Sequence, residues 1–377
     1  MGSNAAKTGV SGEAQVWFVG SDVYRESAFG KHHPLSIIRV SGVVDLCDML
    51  GWFEPGQFRD SPRASQADLE RFHHSDYIAA LREADRKGSV EKEVRDRYRI
   101  GTMENPLFPG LFRRASTAVG GSIHASELAM AGGVAFHPSG GTHHGRPGRA
   151  SGFCYFNDPV FAVMTFLERG IDRVLYVDLD AHHGDGVQDA FENDPRVLTV
   201  SIHEEKRWPY SGPVEDRAGG ARNLPVPKGF NDAELDFLIE NAVLPLATAF
   251  GPGALVVTCG ADPLEGDPLS KLALSNTGLW SAVEKLLAAS PRTVVLGGGG
   301  YNPWTVIRCW TGLWGRLSGR NIPASLPGPA QAFLSGLECD LIDEDEVPDF
   351  WLTTLADEPN IGPVRPQVER LVEHVLN

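Results

Sequence analysis

Short apolar runs bounded by Gly or Asp recur along the chain at 15–19, 134–136, 174–177, 197–201, 254–258 and 293–296. None alternates between apolar and polar residues, which is the pattern of strands covered on both faces. Between them, segments 65–84, 111–131, 158–169, 232–250 and 276–289 repeat apolar residues at helical spacing. Strand and helix in alternation predict right-handed crossovers and an α/β fold, an open parallel sheet with helices on both faces. No linker, repeat or charge block divides the chain, so residues 13–377 read as a single domain. Residues 1–12 read as a flexible N-terminus, and the Pro-rich, acidic segment from about 323 as a wrap over the surface.

In such a sheet ligands bind beyond the carboxyl ends of the strands. The residues found there are HPSGGTHHGRPGRASGFCYFND after Phe136, DLDAHHGDG after Val177, SIHE after Val200, CGADPLEGDP after Thr258 and GGGGYN after Leu296. These strand ends carry His, Asp, Tyr or clustered Gly, while the helical segments carry few such residues. Composition narrows the partners. With 42% apolar residues, 18 Phe and 8 Trp the chain can bury a large core, and a net charge of -15 disfavours nucleic acid and anionic membranes while leaving a cationic partner open. No signal core or long apolar run is present, which predicts a cytoplasmic protein. Five scattered cysteines without a CxxC pair read as reduced thiols.

Alternate side chains of an extended segment share a face, so Asp180 and His182 can reach one ion, with Asp262 from another strand as third ligand. One imidazole and two carboxylates with an open position suit a catalytic divalent ion, Zn²⁺ foremost, with Fe²⁺ or Co²⁺ suited to the same donors. A lone HH pair would pass as polar loop; here it stands beside DxD and a second pair, His143 and His144. Those two can act as acid and base, and Asp178 and Asp185 are free to orient them. Tyr301, after four glycines, offers a hydroxyl to a polarised carbonyl oxygen.

Taken together, GGTHHG, RASGFCYFND, YVDLDAHHGDGVQDAF, GADPLEGDP and LGGGGYN resemble the zinc-dependent histone deacetylase family of the arginase–deacetylase superfamily, in particular its class I and bacterial acetoin-utilisation types. HPLSIIR and FHHSDYI extend the likeness, which runs from about residue 15 to about 320. The resemblance implies an eight-stranded, mostly parallel sheet and removal of acyl groups from lysine or a related amine by a metal-activated water. It makes Asp180, His182 and Asp262 the zinc ligands, His144 with Asp185 the general base, His143 with Asp178 a protonated partner, and Tyr301 the oxyanion donor. It implies a substrate tunnel walled by Gly152, Phe153, Trp208 and Leu269, and Arg39 in a pocket beneath the acetyl group. It implies K⁺ held by the Asp178, Asp180 and His182 stretch with Ser201 and Ile202, and a second K⁺ site at Phe191, Asp194 and Val197. Hydroxamates are the implied inhibitors.

Two departures stand out. Glu104 occupies the rim position where Asp is usual, and Gly145-Arg146-Pro147-Gly148 replaces an Ala-Lys-Lys type of run, so partners that use those basic residues are not implied. A two-manganese ureohydrolase would need Asp where Gly184 and Leu264 stand. An acetylpolyamine amidohydrolase and a non-catalytic acyl-lysine binder are the remaining alternatives; substrates would be an acyl-lysine protein or peptide, or an acetylated small amine.

Overall fold

A computed structural model of the chain describes residues 15–26, 29 and 33–376; the expected flexible stretch 1–12 lies outside them. The strands are β1 (Val16–Gly20), β2 (Phe58–Asp60), β3 (Gly133–His137), β4 (Val174–Asp178), β5 (Val197–Glu204), β6 (Arg222–Val226), β7 (Ala254–Thr258) and β8 (Arg292–Leu296). They form one eight-stranded sheet in the order β2-β1-β3-β8-β7-β4-β5-β6, and every pairing is parallel. The apolar runs are the inner strands. The two edge strands, FRD and RNLPV, are too short or too polar to make such a run, because an edge is half solvated and needs no second apolar face.

The period of two along a strand sends neighbours to opposite faces. In β4, Leu175 and Val177 enter one hydrophobic cluster, and Val174 and Tyr176 another. Helices Val40–Met49, Asn276–Leu286 and Pro303–Leu317 cover the first face; Leu111–Ala129, Asp158–Glu168 and Asp185–Phe191 cover the second. Pro303–Leu317 was not among the expected helices, although Val306, Ile307, Trp310, Leu313, Trp314 and Leu317 recur at helical spacing after an Asn302 cap and a first-turn proline; it is buried on almost every side. Among the described residues no helix is long and apolar enough to cross a membrane.

Two of the expected helices are interrupted. The segment 65–84 contains Gln66–Leu69, closed by a capping box from Ser65 and Asp68, and a separate helix Ser75–Lys87. Between them the His74 amide donates to the Pro147 carbonyl, and buried His73 bonds the Arg146 carbonyl and accepts from the Asn157 amide. These tertiary bonds take the chain out of the helix and tie it to the loop after β3. The segment 232–250 stays helical but widens into a looser turn at Ile239–Val243. Pro245 follows one residue on; it has no N–H to donate and crowds the preceding turn.

The segment from about 323 does more than cover a surface. Ala330, Leu334 and Leu355 sit in the first cluster, as do Val368, Leu371 and Val375 of the last helix, Pro366–Leu376. Buried Arg308 pairs with Asp357 at 2.7 Å and donates to the Thr354 carbonyl. Trp351 packs against Gly266, in the loop after β7, so this segment also backs the strand-end crevice.

Helix Leu111–Ala129 rests directly on backbone: a Cβ on Gly120 would overlap the Pro62 carbonyl oxygen. Helix propensity alone would make Gly120→Ala stabilising by about 1 kcal/mol. The backbone contact should reverse the sign, to a loss of about 1–3 kcal/mol in urea unfolding; a gain in stability would show that the contact is not tight.

Candidate active site

The chain leaves β3 and re-enters the sheet at β4, with β8 and β7 lying between the two. The loops after β3, β8, β7 and β4 therefore open side by side at one edge, the crevice where ligands bind in open α/β sheets. Asp178 is the last residue of β4, and Thr258 is its register partner on β7. Beyond this pair the chain turns through a set of side-chain caps. The Asp180 amide donates to Asp178, the His182 amide to Asp180, and the Ala181 amide to Asp262. The loops are thereby folded around their own carboxylates.

Asp180, His182 and Asp262 converge, with ligand atoms all within 4.8 Å of one another, and all three are buried. His182 Nδ1 lies 2.9 Å from Asp262 Oδ2 and 3.2 Å from Asp180 Oδ1. Burial opposes a charge on His182, yet the two carboxylates override it and raise its pKa to about 10. Burial also raises Asp262, reinforced by the Asp180 charge. Asp180 is held low despite burial, through the charge of His143 and hydrogen bonds from His182 and the Gly299 amide. One imidazole between two buried carboxylates leaves negative charge uncompensated, which favours a cation. A Cβ on Gly299 would overlap an Asp262 carboxylate oxygen, so the after-β8 backbone closes the cradle only because that residue is glycine. The residues fit a divalent ion of the N/O type.

The second histidine of that stretch, His183, turns away, with Nδ1 2.8 Å from Ser211 Oγ and Nε2 2.9 Å from Gln188 Oε1. Position 184 abuts the Asp178 carboxylate, leaving no room for a side chain, and Leu264 is buried in the apolar cluster. The two places where a ureohydrolase would need acids are thus closed.

The histidines after β3 form two pairs with acids. His143 Nδ1 lies 2.7 Å from Asp178 Oδ2, and His144 Nδ1 lies 2.8 Å from Asp185 Oδ1. Their rings are 3.9 Å apart between centroids, so both cannot easily carry charge. Burial disfavours the charged form of His143, but Asp178 and Asp180 raise its pKa to about 9. Burial and the neighbouring His143 push His144 down to about 3. Asp185 is lowered to about 2 against its burial by its hydrogen bond to His144. Two imidazoles with pKa values driven apart are the arrangement that separates a charged group from a base.

Above these groups opens a cavity of about 420 Å³ lined by Glu104, Gly152, Phe153, Arg207, Trp208 and Leu269, with His144, His182 and Tyr301 at its base. The Trp208 ring stands 4.6 Å from His144, and Phe153 stands 5.9 Å from Tyr301. Gly152, at φ +54°, lies where any side chain would strike Trp208. Glu104 accepts the Gly152 amide at 2.8 Å. Arg39 is not in this lining. It lines a second cavity of about 90 Å³ that shares Phe153, lies 4.9 Å over Trp310 and donates to the Gly298 carbonyl. Ser201 sits beside Asp178 in register, with Ile202 next, and Phe191, Asp194 and Val197 form the turn that enters β5.

Three supporting residues escaped the sequence reading. Tyr176 donates its hydroxyl to Asp178 at 2.6 Å, Asp267 accepts the Tyr301 amide at 2.7 Å, and Arg146 contacts Asp185. Asp267 stood in the GDP of a strand-end stretch, a readable signal; Tyr176 looks like any strand residue, and Arg146 lay in a segment set aside as a departure.

The sequence profile of the histone deacetylase domain matches residues 33–317. The acetoin utilization protein AcuC of Bacillus subtilis (strain 168) is 33% identical over 319 residues, covering 80% of this chain and 82% of AcuC. Histone deacetylase 8 of Xenopus tropicalis is 33% identical over 298 residues, covering 77% of this chain and 80% of that protein. The crystal structure of an HDAC homolog from Aquifex aeolicus superposes with a TM-score of 0.92 at 36% identity, over 96% of this chain and 99% of that one. A structure of an HDAC homolog complexed with SAHA gives 0.91 at 36% identity, with the same coverage. With the strand order, the crevice and its paired histidines and acids already described, these likenesses lead to one conclusion: the chain belongs to the histone deacetylase family.

Proposed function

We propose that this protein is a metal-dependent hydrolase that removes acetyl or other acyl groups from lysine side chains, acting through residues 13–377 as one domain. The observation that carries the reading is the convergence of a buried Asp180, His182 and Asp262 cluster with two His–Asp pairs and Tyr301 at the base of an aromatic-walled cavity. The flat walls of Phe153 and Trp208 suit the aliphatic stem of lysine, which carries no charge to trap. Leu269 adds a third apolar wall, and Glu104 is placed to accept hydrogen bonds from the substrate at the rim.

Asp180, His182 and Asp262 would hold the ion, Zn²⁺ or a metal of similar preference such as Fe²⁺ or Co²⁺. Once bound, it would polarise the amide carbonyl and lower the pKa of a water molecule. His144, neutral at physiological pH, takes the proton of the attacking water through Nε2, while Asp185 holds Nδ1. His143, charged beside Asp178 and Asp180, stays a cation and stabilises negative charge as it develops. Tyr301 donates its hydroxyl to the carbonyl oxygen as that oxygen becomes an anion. His144 then returns the proton to the departing nitrogen, so amide and water become amine and carboxylic acid. Arg39, in the inner cavity, is placed to attract the released carboxylate. We read the backbone carbonyls near Asp178, Asp180 and His182, with Ser201 and Ile202, as a K⁺ site, and those at Phe191, Asp194 and Val197 as an outer one.

Tyr301→Phe should lower kcat on an acetyl-lysine peptide by about 10²–10³-fold with bound metal unchanged by elemental analysis; full activity would remove Tyr301 from the oxyanion role. In steady-state assays His144→Ala should cost about 10²–10⁴-fold, and an active variant would refute its role as base. Asp262→Asn should lower the metal content of purified protein and abolish inhibition by hydroxamates. A wild-type protein that is inactive on acetyl, longer acyl and acetylpolyamine substrates after zinc loading would overturn the reading.

A further inference from the structure

Of the two His–Asp pairs, only one has its carboxylate gripped by a cation other than its own histidine among the described contacts. Asp178 is held by neutral donors: the Tyr176 hydroxyl at 2.6 Å and the Asp180 amide at 3.1 Å, besides His143. Asp185 gives one oxygen to His144 and the other to Nη2 of Arg146. The same guanidinium reaches the Asp185 carbonyl oxygen through Nη1 at 3.3 Å, and that nitrogen also donates to Asp189 on the next turn. Arg146 therefore clasps the first turn of helix Asp185–Phe191 at both main chain and side chain. It is largely withdrawn from solvent, with 17% of its side chain exposed against 9% for Asp185.

The segment that carries Arg146 is itself pinned. The Arg146 amide donates to the Arg149 carbonyl, its own carbonyl meets His73 Nδ1 at 3.0 Å, and Asn157 Nδ2 donates to the carbonyls of His143 and Gly145. Of the two long side chains in this loop, Arg146 and Arg149, it is Arg146 that meets the carboxylate behind His144.

We propose that Arg146 is a positioning residue: it locks the Asp185 carboxylate so that His144 keeps Nδ1 protonated and Nε2 directed at the attacking water. This rests on the deacylase reading above. A carboxylate with only one partner can rotate about its broad terminal torsion, whereas a charged donor on its second oxygen, itself anchored on the Asp185 carbonyl and on Asp189, holds its plane. The imidazole follows, because its tautomer and ring orientation are set by what its other nitrogen bonds. The residue also explains why the Gly-Arg-Pro-Gly run is compatible with the chemistry despite departing from the family's usual sequence.

Arg146 can be reached without entering the substrate cavity. A surface groove of about 630 Å³ is lined by Arg146, Gly186, Asp189, Arg97, Arg149 and others, and shares no lining residue with the cavity above Tyr301. A small guanidine can thus enter a truncated variant from outside. In metal-loaded Arg146→Ala, kcat on an acetyl-lysine peptide should fall about 10–100-fold, the range for residues that orient a first set of ligands or bases, while KM changes less than about threefold. Methylguanidinium should restore part of the lost kcat in this variant and leave the wild type unchanged. Arg146→Lys should fall between the two, since an ammonium supplies charge without a fork. A readout independent of turnover is the NMR resonance of the His144 Nδ1 proton, which should broaden or vanish in Arg146→Ala and return with methylguanidinium. An unaltered kcat, a loss that methylguanidinium does not restore, or an unaltered His144 resonance would each overturn the proposal. A wild-type protein with no deacylase activity would sink the functional reading instead, and the NMR comparison would still decide the role of Arg146.

Discussion

Burying carboxylates is the constraint on which this structure turns. Asp178, Asp180, Asp185, Asp262 and Asp267 all lie out of solvent beyond the carboxyl ends of the central strands, where each costs several kcal/mol unless it is paired and hydrogen-bonded. The surrounding architecture supplies those partners. Backbone amides of Asp180, Ala181, His182, Gly299 and Tyr301 all point at carboxylate oxygens, so the loops are folded by the charges they carry. Where amides run out, histidines enter, and the number of acids around each imidazole sets which one carries a proton.

This explains the asymmetry at the centre of the site. His143 and His144 are consecutive, equally buried and each bonded to an aspartate, yet their protonation differs. His143 faces both Asp178 and Asp180, whereas His144 faces Asp185 and the positive His143. The acid behind His144 is further shared with Arg146. Neighbouring charges, not the residue type, separate the charged imidazole from the neutral one.

The same convergence accounts for the abundance of glycine. Of the 42 glycines, several beyond the strands lie where backbone passes directly against a carboxylate or a ring, as Gly299 does at Asp262 and Gly152 at Trp208, and others where backbone meets backbone, as Gly141 does at Gly297. The C-terminal segment belongs to the same design. It enters the core beneath the strands through Leu334 and Leu355 and, through Trp351, supports the loop that carries Asp262 and Leu269.

Much of this was legible in the chain. Inner strands announce themselves because a strand covered on both faces must be apolar throughout, and DLDAHHGDG and GGGGYN stand out because they gather His, Asp and Tyr, the residue types able to hold an ion or carry a proton, at strand ends. Edge strands β2 and β6 were silent, since partial solvation lets them be polar, whereas Pro303–Leu317 went unread although its apolar residues recur at helical spacing. The break between Leu69 and Ser75 depended on bonds from His73 and His74 to residues more than seventy positions away, which local pattern does not encode. The sequence by itself thus determined the layered α/β architecture and the inventory of reactive groups. The His–Asp pairs and the inner place of Arg39 were already implied by the resemblance; only the tertiary structure decided that Tyr176 backs Asp178, that Asp267 holds the Tyr301 amide and that Arg146 backs Asp185, because those outcomes follow from the order in which strands pair and not from their order along the chain.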